Sequence, residues 1–190
     1  MLAERTSMHG ICRVVLVSMK WVMGFAVKCY EEAPEDLHAQ LLKRPGRVLF
    51  RCLKAEADEL LSFVGSKSDK QWLWPAIDAQ SRQAIAHHVG DRSKDSAKAL
   101  WKKVPAVYRK HATFLTDGYA SYKGVFPKRR HRVVTKDSRL TNHVVRLNCT
   151  LRQRVSRLVR STLSFSKKLS NHVGAIRFFL CQYNLELARA

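Results

Sequence analysis

Two aspartates, Asp58 and Asp117, have the side-chain type and the position in the chain that metal-dependent chemistry needs. Asp58 lies within EADEL, inside a predicted strand, whereas Asp117 follows the apolar residues of FLTDG at a predicted strand end. A carboxylate inside a strand is disfavoured by β propensity, and a bound metal is one reason to keep it there. If the strands are neighbours, both carboxylates can bind one Mg²⁺, and paired metals about 4 Å apart suit in-line displacement at phosphorus.

Each aspartate also has a simpler interpretation. Asp117 precedes a glycine in TDGY, which is a common turn sequence. Asp58 could face solvent from its strand, on the same side as Glu56 by alternation. The two aspartates together, on a strongly basic chain with a βββαβ order of elements, favour the metal site.

The elements that must position these aspartates are predicted between residues 53 and 190. Three strands joined by short polar turns, one of them KSDK, predict an antiparallel meander. A helix follows, with Asp91 and Ser93 as candidate N-terminal caps, and Pro105 is expected to end or kink it. ATFLTDG and HRVVTK predict two further strands. The expected fold class is α/β, a mixed sheet flanked by helices in the order βββαβαβα, with a short N-terminal helical segment.

A long helix near the end of the chain combines an apolar face with arginines. Apolar residues spaced by three and four from Leu140 to Leu158 define that face, and a last helix is expected from about Ser170. Arginines on its polar side, and a basic loop before the fifth strand, could contact phosphates without reading sequence. A solvated charged surface is the alternative. The candidate DNA-binding residues are Lys128, Arg129, Arg130, Arg132, Arg146, Arg152, Arg154 and Arg157.

Composition restricts the classes of partner. The 190 residues carry a formal net charge of +20, which favours a polyanion, most often nucleic acid, and 46% are hydrophobic, enough for a core. The five cysteines are widely spaced and form no C-x-x-C pair, which suits a reducing cytosol. The apolar stretch at residues 11–27 is interrupted by Arg13 and Lys20, so no membrane span is expected. We expect neither a membrane nor a small-molecule substrate as partner.

The chain divides into three segments that differ in composition and in predicted structure. Residues 1–30 predict helix, turn and helix, with the turn near LVS and Ser18 as a candidate N-cap. They indicate a truncated helix-turn-helix-like unit, in which Leu16 takes a turn position that glycine would occupy more easily. A helical hairpin packed on the main domain is the alternative. Residues 31–52, with an acidic cluster, prolines and a glycine, predict a linker, and residues 53–190 predict the main domain.

Longer stretches resemble one family. DELLSFVGSKSDKQWLWPAIDAQSRQAIAHHVGDRS, TDGYASY, HRVVTK and TNHVVRLNCTLRQRVSRLVRSTLSFSKKLSNH are similar, in unbroken order over roughly residues 53–185, to bacterial insertion-sequence-one transposases of the InsAB type. The resemblance implies a ribonuclease-H-like catalytic domain with an Asp-Asp-Glu triad that uses Mg²⁺ or Mn²⁺ to cut and join DNA. It implies insertion-sequence ends and target DNA as partners, self-association on DNA, and a place in the bacterial cytoplasm at the nucleoid.

Carried over by position, the resemblance assigns roles to single residues. Asp58 and Asp117 correspond to the two aspartates, which would hold the metal, and His131 to a family histidine near the metal or a phosphate. The third carboxylate belongs to a motif resembling T-x-x-V/I-E-R-x-N. Here the motif is TNHVVRLN, residues 141–148, and Val145 occupies the glutamate position.

Valine offers no oxygen to a metal, so we expect a transposase that binds DNA but is impaired in strand cleavage and transfer. The other polar residues of the motif, His143 and Asn148, are not expected to fill the bidentate role of that glutamate unless the helix turns, because they lie two positions earlier and three positions later. Glu56 or Glu59, which flank the first aspartate, could substitute in part. The alternatives are a catalytically inactive DNA-binding remnant and a basic RNA-binding structural protein.

Overall fold

The computed structural model of the protein describes residues 1–40, 53–135, 138, 140–159 and 166–189. Six strands and six α-helices form in these residues. The strands are β1 (Lys54–Ala57), β2 (Leu60–Val64), β3 (Ser66–Asp78), β4 (Ala84–Gly90), β5 (Thr113–Thr116) and β6 (His131–Val133). The helices are α1 (Met8–Val15), α2 (Met19–Glu32), α3 (Lys94–Lys103), α4 (Ala106–His111), α5 (Asn142–Arg154) and α6 (Leu169–Arg189).

The strands form one mixed sheet. Strand β3 pairs antiparallel with β4 along one edge and with β1 and β2 along the other. On the far side of β1, strands β5 and β6 continue the sheet in parallel. The α/β class with a mixed sheet, flanking helices and an N-terminal helical segment is confirmed. Two details differ from the expected order: the first predicted strand is interrupted, and the segment between β5 and β6 forms a short 3₁₀ helix, Ala120–Tyr122, rather than an α-helix.

Two turns depend on backbone conformation. The predicted turn KSDK is wrong, because those residues belong to β3 and the chain reverses two residues before them, at Gly65. Val64 pairs with Ser66 across Gly65, whose φ of 74° favours glycine. Pro105 stands between α3 and α4, as expected, since proline is compatible with the start of a helix but not with its interior.

Helices cover both faces of the sheet, so the core has two parts. On one face, Leu73 and Ile77 of β3 pack with Leu147 and Leu151 of α5 and with α6. On the other face, apolar residues of the sheet pack with Leu100 of α3 and with the 3₁₀ helix. Alternation along β3 explains the division, because successive strand side chains point to opposite faces. The result is a three-layer α/β/α arrangement.

The N-terminal helices pack on the last helix. Leu16 ends α1 with φ 59°, and Ser18 caps α2 by accepting a hydrogen bond from the backbone N–H of Trp21 at 3.2 Å. Ala26 and Tyr30 of α2 are buried against Ala175 of α6. Among the described residues no single helix is long and apolar enough to cross a membrane. Helices α1 and α2 together meet that test of length and composition but are bent by 111°. The turn lies where the sequence predicts it, and the hairpin packs on the main domain.

Within the expected linker, residues 31 and 32 end α2, and residues 41–52 lie outside the described residues.

Gly174 marks the closest approach of α2 and α6. A Cβ added there would lie 2.6 Å from Cβ of Tyr30, whereas one added at Gly24 of α2 would meet nothing within 4 Å.

We therefore expect Gly174→Ala to lower the free energy of unfolding by about 1–3 kcal/mol, since overpacking forces the two helices apart. The matched control, Gly24→Ala, should raise it by up to about 1 kcal/mol through helix propensity. Urea denaturation monitored by circular dichroism measures both values. If Gly174→Ala stabilised the protein as much as Gly24→Ala does, α2 and α6 would not be in close contact at Gly174.

His172 of α6 is fully buried and held in its neutral form. Its Nε2 lies 3.0 Å from Oγ of Ser62, which donates its own proton to the carbonyl oxygen of Gln71. The Nε2 of His172 is therefore the donor, and its Nδ1 has no partner among the described residues. Burial, with a smaller effect of Arg157, lowers the pKa of His172 to about 4.

This lowered pKa makes stability depend on pH. In the unfolded chain histidine titrates near pH 6.5, so the contribution of His172 is full above about 6.5 and is lost as the pH falls. The loss is at most about 1.4 kcal/mol per pH unit. His172→Gln should therefore lose less stability than the wild type between pH 7 and pH 5 in urea denaturation. Exposed His9 provides the control His9→Gln, which should follow the wild type. Identical pH profiles for His172→Gln and the wild type would contradict the assignment.

Candidate metal centre

Asp58 and Glu59 stand at an interruption of the first strand. Ala57 pairs with Ala76 and Leu60 with Leu73, so the register against β3 is the same on both sides and Asp58 lies opposite Pro75. The N–H of Asp58 lies 3.5 Å from the carbonyl oxygen of Pro75. Pro75 has no N–H to donate in return, and this explains why the ladder breaks here. The regular strand ends at Ala57, before Asp58. Asp58 nevertheless keeps the strand register, opposite Pro75, as the prediction of a strand position requires.

Asp117 directly follows β5, which runs parallel to β1. Glu56 is paired with Leu115, so continuing the register places Asp117 beside Asp58. Oδ1 of Asp117 accepts a hydrogen bond of 3.0 Å from the N–H of Tyr119. The turn interpretation and the strand-end interpretation of Asp117 are therefore both correct: the turn fixes the carboxylate, and the sheet brings it to Asp58.

Three carboxylates meet at this edge. Asp58, Glu59 and Asp117 each offer an oxygen, and these oxygens lie within 4.8 Å of one another. All three residues are partly exposed as whole residues, so the cluster lies near the surface of the protein. Oxygen ligands alone, with negative charge, fit a hard divalent cation such as Mg²⁺ or Mn²⁺.

The side chain of Glu59 is almost fully enclosed. Its side chain is 2% exposed, and its Oε1 accepts from Nη2 of Arg92 at 2.7 Å. Its Oε2 accepts from the hydroxyl of Tyr122 at 3.2 Å. Burial raises the pKa of Glu59, the hydrogen bond from Arg92 opposes this rise, and the neighbouring aspartates add to it. The Arg92 guanidinium in turn lies 4.3 Å from the ring centre of Trp72 and 4.0 Å from that of Tyr119. Glu59 is thus held in one position.

Helix α5 is fixed to β1 at its N-terminus. Thr141 makes no side-chain capping bond, and the first turn contains no acidic residue. Instead, Oε2 of Glu56, a residue 1% exposed, accepts from the N–H of Val144 at 2.9 Å. Burial raises the pKa of Glu56, while the N–H groups of the helix start lower it. The strand therefore supplies the negative charge that a helix N-terminus favours.

Asn148 contacts the first aspartate, and the expectation that it fills no bidentate role at a metal stays a prediction. Its Nδ2 donates to Oδ2 of Asp58 at 2.8 Å. Four residues of helix rise about 6 Å, and two residues of strand rise about 6.6 Å. Val144 and Asn148 on α5 therefore match Glu56 and Asp58 on β1. Val145 is adjacent to this contact face but 47% exposed.

His131 contacts the residue that precedes Asp117. Its Nε2 lies 2.8 Å from Oγ1 of Thr116, the residue before Asp117. Burial lowers the pKa of His131. The structure thus places His131 where it supports the end of β5, and a role at the metal or a phosphate stays a prediction.

The predicted DNA-binding residues differ in their exposure and in their contacts within the protein. Arg130 donates to the carbonyl oxygens of Ala112 and Arg109, Arg154 is paired with Glu4 and Glu186, and Arg157 donates to Ser166. Arg152 is partly exposed. The exposed residues are Lys128, Arg129, Arg132 and Arg146. Contact with DNA stays a prediction for all eight residues.

Sequence reasoning overlooked Arg92 and Tyr122, the two partners of Glu59, and gave Glu56 and Glu59 only a minor part. Alternation along the strand does place Glu56 on the face of Asp58, but it gives no sign that Glu56 caps α5. No local pattern connects Arg92 with Glu59, because 33 positions separate them.

A mixed sheet between two helical layers, with carboxylates at the ends of adjacent parallel strands, fits the ribonuclease-H-like fold. A family model described as IS1 transposase matches residues 51–185, so the chain belongs to the IS1 transposase family. It is 35% identical over 126 residues to the insertion element IS1 protein InsB of Shigella flexneri, over 66% of this chain and 92% of the relative. Two InsB proteins of Escherichia coli K12 are 33% identical over 137 residues, 72% of this chain and 78% of each relative. The resemblance inferred from the sequence is confirmed.

The capping bond of Glu56 generates a stability prediction. Glu56→Ala leaves the buried N–H of Val144 without an acceptor and should lower the free energy of unfolding by about 1–3 kcal/mol. Glu56→Gln keeps an acceptor oxygen and should cost less. Exposed Glu31 of α2 provides the control Glu31→Ala, with an expected change within about 0.5 kcal/mol. Equal urea midpoints for Glu56→Ala and Glu31→Ala would show that α5 does not depend on this bond.

Proposed function

We propose that this chain acts on DNA as an insertion-sequence transposase, binding element ends and carrying out metal-dependent strand cleavage and transfer, with impaired activity because Val145 replaces the third carboxylate. The observation that carries the proposal is the meeting of Asp58 and Asp117 at the ends of adjacent strands, in a chain of the IS1 transposase family. The family implies DNA as partner and a divalent metal.

The residues at the site would divide the work. Asp58 and Asp117 would hold a divalent cation, which supplies charge stabilisation and an activated oxygen for displacement at phosphorus. Asn148 holds Asp58, and the turn at Tyr119 holds Asp117, so both carboxylates are oriented before the cation arrives. Positions that are set in advance need no reorganisation during the reaction.

The basic surface supports DNA as the substrate. The net charge of +20 gives long-range attraction to a polyanion, and the exposed residues Lys128, Arg129, Arg132 and Arg146 can contact phosphates. Self-association on DNA and a nucleoid location belong to the same proposal. The RNA-binding alternative is supported by charge alone, whereas the carboxylate cluster and the family both favour DNA chemistry.

A catalytically inactive DNA-binding remnant is the second candidate, and Val145 is the observation that favours it. A glutamate at this exposed position would leave the buried face of α5 unchanged.

Strand-transfer assays on matched element ends with Mg²⁺ or Mn²⁺ distinguish the two candidates. Val145→Glu should raise the rate at least about tenfold, since loss of one metal-site carboxylate removes transition-state charge stabilisation. Asp117→Asn in either background should abolish transfer, and DNA affinity should stay within about twofold. Equal, robust activity in the wild type and Val145→Glu would refute the impairment. No activity in either, with intact DNA binding, would establish the inactive remnant.

A further inference from the structure

We propose that Glu59 is the third protein ligand of the cation, so that the site has three carboxylates although position 145 is a valine. This inference rests on the proposed function, because it assumes that the site binds a divalent cation. In this assignment Glu59 helps to hold the ion beside Asp58 and Asp117, while the carboxylate that the resemblance places on α5 stays absent, so the proposed impairment is unchanged.

The distances between the three carboxylates fit one ion. Their nearest oxygens lie within 4.8 Å of one another. Around an octahedral Mg²⁺ with bonds of about 2.1 Å, opposite oxygens lie about 4.2 Å apart and adjacent oxygens about 3.0 Å apart. Side-chain movements that shorten the oxygen–oxygen distances by up to about 1.8 Å would therefore bring all three carboxylates to one ion.

The charges at the site also fit a divalent ion. Asp58, Glu59 and Asp117 carry three negative charges when ionised, and Arg92 offsets one of them through its bond to Glu59. Two negative charges remain, close together at a partly exposed edge. A doubly charged cation neutralises them, whereas without it the like charges repel.

The contacts of Glu59 leave it able to bind the ion. Arg92 takes two hydrogen-bonding sites on Oε1 of this carboxylate, through its Nε and Nη2, and Tyr122 takes one on Oε2. A carboxylate has about four lone-pair sites, so one site on Oε2 remains for a metal. Because both partners are themselves packed, the carboxylate is held in place before the ion binds, and this lowers the entropy lost on binding.

An independent observation comes from Asn148. This residue is 7% exposed, its Nδ2 is bonded to Asp58, and its Oδ1 is buried without a hydrogen-bond partner among the described residues. An unsatisfied buried oxygen costs about 1–3 kcal/mol. A cation at the carboxylates, or a water bound to it, would satisfy this oxygen. The side chain that α5 directs into the cluster is therefore one that benefits from an ion.

The experiment uses terbium(III), an oxygen-seeking luminescent ion, with the full chain. Titration gives the affinity, and luminescence decay in H₂O and D₂O gives the number of water ligands. Competition with Mn²⁺ shows whether a divalent cation binds at the same site as terbium. Glu59→Gln keeps the size of the side chain and removes its charge. Glu31→Gln, at an exposed position on α2, is the matched control.

We expect Glu59→Gln to weaken terbium binding at least about tenfold and to add about one water ligand, since the ion keeps its coordination number. A structural role alone would not add that water. Glu31→Gln should equal the wild type. If Glu59→Gln fails to fold, Glu59→Asp, with a carboxylate on a shorter side chain, should bind more weakly and also gain water.

Two other outcomes separate the proposals. Unchanged affinity and water count in Glu59→Gln, with binding lost in Asp117→Asn, would overturn the role of Glu59 and leave the metal-dependent function standing. No saturable binding by the wild type, of either terbium or Mn²⁺, would overturn both.

Discussion

The bond between the carboxylate of Glu56 and the N-terminus of α5 is the contact on which the arrangement of the site depends. Thr141 makes no side-chain capping bond and the first turn has no acidic residue, so the central strand provides a carboxylate acceptor from inside the core. A buried carboxylate is costly unless its hydrogen bonds are made, and a buried N–H likewise. The two costs cancel only when α5 lies along β1 in one register. That register brings Asn148 to Asp58.

The interruption of the first strand connects the two halves of the core. Asp58 contacts α5, which packs on one face of the sheet, while Glu59 contacts Tyr122 and Arg92 on the other. Adjacent strand residues face opposite ways, so a cluster that contains both can form only at the edge where the ladder is broken. Pro75, which cannot donate to Asp58, breaks it. The three carboxylates thus meet where the strand ladder lacks a hydrogen bond.

Sequence patterns predicted the positions of Asp58 and Asp117 because each depends on local signals: apolar runs, a turn at TDGY and the order of strands. The contacts around them depend on pairs that are distant in the chain. Asn148 is 90 positions from Asp58, and only the register of α5 on β1 selects it over its neighbours. The KSDK turn was wrong for a related reason: tertiary pairing with β2 extended a polar segment into strand β3. Local residue patterns therefore predict the strands that carry Asp58 and Asp117, whereas the register of α5 on β1 decides which helix residue contacts Asp58.

The position of Val145 explains how this helix can lack an acid and still fold. Val144, Leu147 and Leu151 form the buried face of α5, and Asn148 forms its contact with the site, whereas Val145 is 47% exposed. A side chain on this flank contributes little to packing, so stability places almost no constraint on its identity. The proposed chemistry would constrain it, because a longer acidic side chain on this flank, next to Asn148, could reach the cluster. Packing and the proposed chemistry would therefore depend on different faces of one helix, so the exposed flank could change while the packed face is kept.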